Sequence, residues 1–292
     1  MTTTTTPAPP PEPPELKLLR LKFRLLATVS TTLAFQSAWR LFTTPRRLPV
    51  KPWETAALAE ARWFEVPFGK GVVVAYEWNP TGHRTVLLVH GWEHRASFWG
   101  TMAQGLVAAG YRVVALDGPA HGASSGRRTT LPAFGAAIQA VADEVGPIWA
   151  VVAHSFGAAA TAGLPVQFNG GQLLPRLVLL SVPGSTPAVF RRFAELLHLP
   201  NKVLARMTQF AEARHGRSAE SFSLTQVGYQ VPAERALLLH DRADETIPFS
   251  EAQAIAHSWP GLDFRPTTGL GHNRIMRDPE IIGQVVEFLE EQ

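Results

Sequence analysis

The residues best placed to do chemistry lie in Ile148 to Ala160, IWAVVAHSFGAAA. An apolar run rich in β-formers passes through Ala153-His154-Ser155-Phe156-Gly157 into an alanine-rich segment of helical character. A serine on so tight a strand-to-helix turn is a nucleophile elbow. Its backbone is strained, and the crowding demands small residues two before and two after it. Ala153 and Gly157 meet that demand, although Ala153 departs from the G-x-S-x-G pattern by one methyl group. The helix behind Ser155 would aim unpaired N–H groups and its positive dipole end at the same spot, so an oxyanion formed there would meet preorganised donors. The chemistry implied is acyl transfer. The plainer reading is a buried serine in an ordinary Gly/Ala-rich strand-helix junction.

A serine hydroxyl needs a base, and the base needs an orienting acid. In an elbow-type fold the chain order is Ser, acid, His. Of the ten histidines, only His257 and His272 follow a candidate acid late in the chain. His257 falls within a helical segment. His272 follows a strand, in the loop Thr268-Gly269-Leu270-Gly271-His272, and is the better base. For the acid, Asp241 and Asp244 both lie just beyond the strand Ala236 to His240. Asp241 is nearly in register with the strand end, where it would cap a turn. Asp244 lies further along the loop, within reach of His272 Nδ1. We favour Asp244, with Asp241 second and Glu245 third.

The other half of an oxyanion hole belongs to the loop His90-Gly91-Trp92-Glu93, where the Trp92 N–H can face the Phe156 N–H across the developing charge. The same loop contains a literal H-x-x-E-H at His90 to His94, a pattern of some zinc peptidases. That chemistry needs a helix to bring both histidines to one face, whereas here a glycine directly follows a strand. No metal or other cofactor is called for.

The elements that must position these residues are legible as an alternation. Trp63 to Phe68 and Val72 to Trp78 read as a hairpin around Gly69-Lys70-Gly71. Strands at Val86 to His90, Tyr111 to Leu116, Ile148 to Ala153 and Leu177 to Ser181 then alternate with helices near Phe98 to Ala109, Leu131 to Val145 and from Phe156. Such alternation specifies an α/β fold, a mostly parallel twisted sheet with helices on both faces, and ligands sit beyond its strand C-terminal ends. Residues 183–232 break the rhythm with apolar residues at helical spacing, and read as a small helical lid inserted before the strand carrying the acid. The rhythm resumes with Ala236 to His240, a helix near Glu251 to Ser258, Leu262 to Arg265, and a closing helix from Pro279 to Leu289.

Residues 1–15, a Thr run followed by PAPPPEPPE, cannot bury a core and read as a disordered tail. Residues 16–62 read as an N-terminal helical extension and linker, and 63–292 as the catalytic domain. In Leu16 to Phe42 the uncharged window Leu25 to Trp39 is shorter than the ~20 residues a membrane span requires. Three readings of that stretch stand: a helix packed on the catalytic domain, a basic amphipathic helix in weak contact with a membrane surface, and a signal peptide with a long front region. The first is adopted, with a cytoplasmic location; membrane association and export are the alternatives. A balance of 27 basic to 24 acidic residues is too even to argue for nucleic acid as a partner. The absence of cysteine removes thiol catalysis and cysteine zinc sites. Oligomeric state is not legible.

The chain from about Trp63 to Leu289 resembles the α/β-hydrolase superfamily, specifically its serine esterase and lipase-like members. VLLVHGW at Val86 to Trp92, LDGPAHGAS at Leu116 to Ser124, VVAHSFG at Val151 to Gly157, HDRADETIP at His240 to Pro248 and GLGH at Gly269 to His272 carry the resemblance. It implies Ser155 as nucleophile, Asp244 as acid, His272 as base, Trp92 and Phe156 as oxyanion donors, a small-molecule ester as substrate, and a structural role for His121. The serine argues against the relatives that open epoxides or carbon–halogen bonds with an aspartate. A thioesterase, C–C hydrolase, perhydrolase or non-catalytic ligand-binding relative would keep the same residues.

Overall fold

The computed structural model describes residues 13–291. In chain order the elements are α1 (Pro14–Val29), α2 (Thr31–Phe42), α3 (Pro52–Leu58), β1 (Arg62–Phe68), β2 (Gly71–Trp78), β3 (Thr85–Val89), α4 (Gly100–Ala108), β4 (Arg112–Asp117), α5 (Leu131–Val145), β5 (Ala150–His154), α6 (Ser155–Ala162), β6 (Leu174–Leu180), α7 (Thr186–Leu196), α8 (Asn201–His215), α9 (Leu224–Val227), β7 (Ala233–Asp241), α10 (Phe249–Ser258), β8 (Asp263–Thr267), α11 (Gly271–Arg274) and α12 (Pro279–Glu290). They form two compact units. One joins the described residues up to Phe42 to Ala188–Gly216; the other holds Thr43–Pro187 and the described residues from Arg217 on.

The larger unit is one eight-stranded sheet in the order β1-β2-β4-β3-β5-β6-β7-β8. The β1–β2 and β2–β4 pairs are antiparallel and the rest parallel. Its central strands are apolar throughout because both faces are covered. Along β3, Leu87 and Val89 enter a core with Phe134, Ile138 and Val141 of α5, while Val86 and Leu88 enter another with Met102 and Leu106 of α4 and Val285 and Phe288 of α12. Burying each such side chain stabilises the fold by about 1.5–3 kcal/mol. Helix starts follow the sequence: Thr130 caps α5, and Asp278 caps α12 by accepting from Glu280 and Ile281 N–H groups. Pro279, in the first turn of α12, costs no helical hydrogen bond there.

The smaller unit is helical. Phe23 of α1 and Ala34, Phe35 and Ala38 of α2 pack with Phe190, Ala194, Val203 and Met207 of α7 and α8. The stretch Leu16 to Phe42 is thus two helices, broken at Ser30, whose backbone is extended. Helix α1 begins at Pro14, so the last two residues of the expected tail are helical; residues 1–12 lie outside the described residues. Segment 183–232 holds α7, α8, α9 and two 3₁₀ turns, and Ala188–Gly216 within it share a core with the N-terminal helices. Among the described residues, no helix is long and apolar enough to cross a membrane.

Candidate active site

Strand β5 ends at His154 and α6 begins at Ser155, with no intervening residue. The chain reverses there by placing Ser155 at φ 52°, in the left-handed region that non-glycine residues rarely occupy. The strain is tolerated because both sides are packed. A Cβ on Gly157 would fall 2.3 Å from the His90 carbonyl oxygen, so α6 can lie against the end of β3 only with glycine at that position. Ala153, two residues before the serine, is fully buried and its methyl is accommodated in the α5 side of the core.

The serine hydroxyl opens toward residues brought in by the loops after β7 and β8. His272 Nε2 lies 3.1 Å from Ser155 Oγ, and His272 Nδ1 lies 2.8 Å from Asp244 Oδ2. His272 sits in α11, a single helical turn, rather than in an open loop. Asp244 Oδ1 accepts from the Thr246 and Ile247 backbone N–H groups, each at 2.8 Å. Burial opposes the charge on Asp244, but the His272 hydrogen bond and these two N–H groups outweigh it and hold the carboxyl below the usual range. Nδ1–H of His272 therefore donates to a carboxylate, and in the neutral ring Nε2 is the nitrogen that can accept from Ser155 Oγ.

The other candidates lie outside this chain of hydrogen bonds. Asp241 accepts from Ala243 N–H at 2.9 Å, Leu270 N–H at 3.0 Å and Thr267 Oγ1 at 2.7 Å, so it ties together the two loops that carry Asp244 and His272. Glu245 and His257 are exposed.

After β3 the chain turns at Gly91, where a Cβ would lie 3.1 Å from Ser155 Cβ. Trp92 thus follows a residue packed directly on the serine, and its ring meets Phe156 edge-on at 5.2 Å. Phe156 lies in the first turn of α6, whose N–H groups have no carbonyl ahead of them in the helix. Among the described residues, no hydrogen bond engages either N–H.

Histidines that the sequence did not mark as functional hold this arrangement. His90 Nε2 accepts the Gly118 N–H at 2.8 Å, so its Nδ1–H donates to the Gly91 carbonyl at 2.7 Å. His121 Nε2 accepts the N–H of Glu93, a residue at φ 60°, and its Nδ1–H donates to the Pro119 carbonyl. His154 Nε2–H donates to the His272 carbonyl at 2.9 Å, which ties the elbow to α11. Only its place beside the serine could have singled His154 out. Burial lowers His90 and His154 well below the ordinary imidazole value and lowers His94 and His121 to about 4. The H-x-x-E-H residues do not converge: both His90 nitrogens are bonded to backbone, Glu93 pairs with Arg46, and the His94 ring stacks on Phe98 at 4.4 Å. Among the described residues, no three His, Asp or Glu side chains form a metal-holding group.

Residues 86–283 match the model of the alpha/beta hydrolase family. The chain belongs to this family. Among solved hydrolase structures, an esterase from Pyrococcus furiosus superposes with a TM-score of 0.61 at 19% identity, over 85% of this chain and 96% of that one. The thioesterase domain from the curacin biosynthetic pathway gives 0.57 at 17%, over 79% and 99%. A bacterial membrane phospholipase A gives 0.59 at 17%, over 94% and 96%. At these identities the likeness is one of fold. A comparison with curated proteins returns no match.

Proposed function

We propose that this hydrolase cleaves carboxylic esters through an acyl-enzyme on Ser155. The observation that carries the reading is the unbroken hydrogen-bond chain from Asp244 through His272 to a serine held at positive φ on a strand-to-helix turn. In the first half-reaction His272 Nε2 takes the Oγ proton as Oγ attacks the ester carbonyl carbon. The Trp92 and Phe156 N–H groups receive the oxyanion, and the dipole end of α6 adds to that stabilisation. The intermediate collapses, the C–O bond to the alcohol breaks, and the imidazolium returns its proton to the departing oxygen. Water, deprotonated by His272, then attacks the acyl carbon and frees Ser155. Asp244 stays ionised and balances the imidazolium. Every proton moved belongs to substrate, water, Ser155 or His272.

Fluorophosphonate labelling followed by peptide mapping tests the assignment, together with kcat/KM for an ester and a thioester of the same acyl chain. The expected result is modification of the Ser155 peptide, abolished in Ser155→Ala and strongly reduced in His272→Ala, with ester turnover falling by about 10⁴–10⁶ in both variants. Folded wild-type protein that neither labels nor turns over would overturn the reading. Labelling with a clear preference for the thioester would keep the residues and replace the substrate class.

A further inference from the structure

Helix α1 has two apolar faces, and the core of its unit uses only one. Phe23 is fully buried, with Leu16, Leu19, Leu26 and Ala27 packed around the same cluster. At 100° per residue these five occupy one side of the helix. Leu18, Leu21, Leu25 and Val29 lie on the opposite side, at intervals of three and four, and form a continuous ridge about three turns long. They are 68%, 41%, 57% and 78% exposed. Single exposed leucines are ordinary, but four aligned on one face form a patch that calls for a partner.

The charges around the ridge say what that partner is. Exposed Lys22 borders it on one side, and exposed Lys17 and Arg24 border it on the other. No Asp or Glu occurs from Leu16 to Trp53. We propose that this ridge docks onto a lipid bilayer surface carrying anionic headgroups. Four apolar side chains would enter the acyl boundary, while the long stems of Lys17, Lys22 and Arg24 would lift their charges to the phosphates. The helix is 16 residues long, about 24 Å, and lies in the plane of the surface rather than across it. A second copy is a poor occupant, because pairing two such ridges would bring six cations together with only the two Glu15 carboxylates on the paired helices. This inference is independent of the ester reading.

Co-sedimentation of the full chain with vesicles of phosphatidylcholine alone, and of phosphatidylcholine mixed with phosphatidylglycerol, tests it. The wild type is expected to bind the mixed vesicles at low salt and to release as salt rises. Lys17→Gln/Lys22→Gln/Arg24→Gln should weaken binding about a hundredfold, since each cation near an anionic surface is worth about fivefold. Leu21→Ser/Leu25→Ser should weaken it about tenfold, with circular dichroism unchanged because both positions are exposed. Absence of binding to the mixed vesicles at low salt would overturn the proposal, as would binding that survives both variants. A wild-type dimer that ignores vesicles and dissociates in Leu21→Ser/Leu25→Ser would overturn it in favour of a second copy.

Discussion

Asp241 ends β7 and Asp244 lies in the loop after it, and both carboxyls are held below the usual range, yet their acceptor atoms face different neighbours. Burial opposes the charge on Asp241, but the Leu270, Gly271 and Ala243 N–H groups and the Thr267 hydroxyl outweigh it and pull it down to about 2. Asp244 divides its oxygens between two backbone N–H groups and His272. Two substitutions separate the roles. Asp244→Asn should lower kcat by a factor on the order of 10³–10⁴ while leaving stability nearly intact, because the amide favours the wrong imidazole tautomer. Asp241→Asn should cost on the order of 2 kcal/mol of stability, with a smaller fall in kcat. Urea unfolding and steady-state kinetics on both variants check this. The pH dependence gives a second signature. A carboxyl at about 2 in the fold and near 3.8 unfolded contributes stability above pH 4 that is lost as the pH falls toward 2, and Asp241→Asn removes that dependence. The sequence could rank these two aspartates but not separate them, because loop position does not encode which way a side chain turns. His154 was invisible for the same reason: its partner is a backbone carbonyl 118 residues away.

At the scale of elements, what was readable follows from burial. Strands β3 to β7 are covered on both faces, so their apolar runs stand out, and α5 was bounded at the same residues, Leu131 and Val145. Segment ends were less readable where packing overrides propensity. Arg62, the last residue of the expected extension and linker, is the first residue of β1, where its guanidinium pairs with buried Glu77. The sequence of the N-terminal stretch suggests one helix because its apolar residues run on past Val29. Thr28, Val29, Thr31 and Thr32 are β-branched and weaken a helix, and Ser30 caps the next one by accepting from Leu33 N–H. The larger consequence lies in partnership: α1 and α2 supply part of the core against which α7 and α8 pack. Deleting residues 1–42 would uncover Phe190, Ala194, Leu197, Val203 and Met207, a loss too large for a helical pair to absorb. Limited proteolysis of the deletion variant should therefore cut rapidly within Ala188–Gly216, at sites protected in the full chain, with the sheet fragments persisting. Equal protection in both proteins would mean that α7 and α8 hold their fold without the N-terminal helices.

For the molecule as a whole, the histidines around the site set the acid limit of stability. His90, His94, His121 and His154 are all held neutral by burial, His94 and His121 down to about 4. The unfolded chain takes up a proton at each near pH 6.5, and the folded chain does not. Stability conferred by their neutral forms is thus intact above pH 6.5 and declines as the pH falls toward 4, by up to about 1.4 kcal/mol per pH unit for each histidine. With a total stability of only about 5–15 kcal/mol, such a slope is expected to unfold the protein in mild acid. His94 isolates one contribution. Its ring stacks on Phe98 and His154, and its buried Nδ1 has no hydrogen-bond partner, so a phenyl ring replaces its shape without forfeiting a bond. His94→Phe should change stability little at pH 7 and raise it by about 1–2 kcal/mol at pH 5, moving the acid unfolding midpoint down. Urea titrations at the two pH values measure this difference. An equal shift at both would mean that packing, not protonation, governs that position.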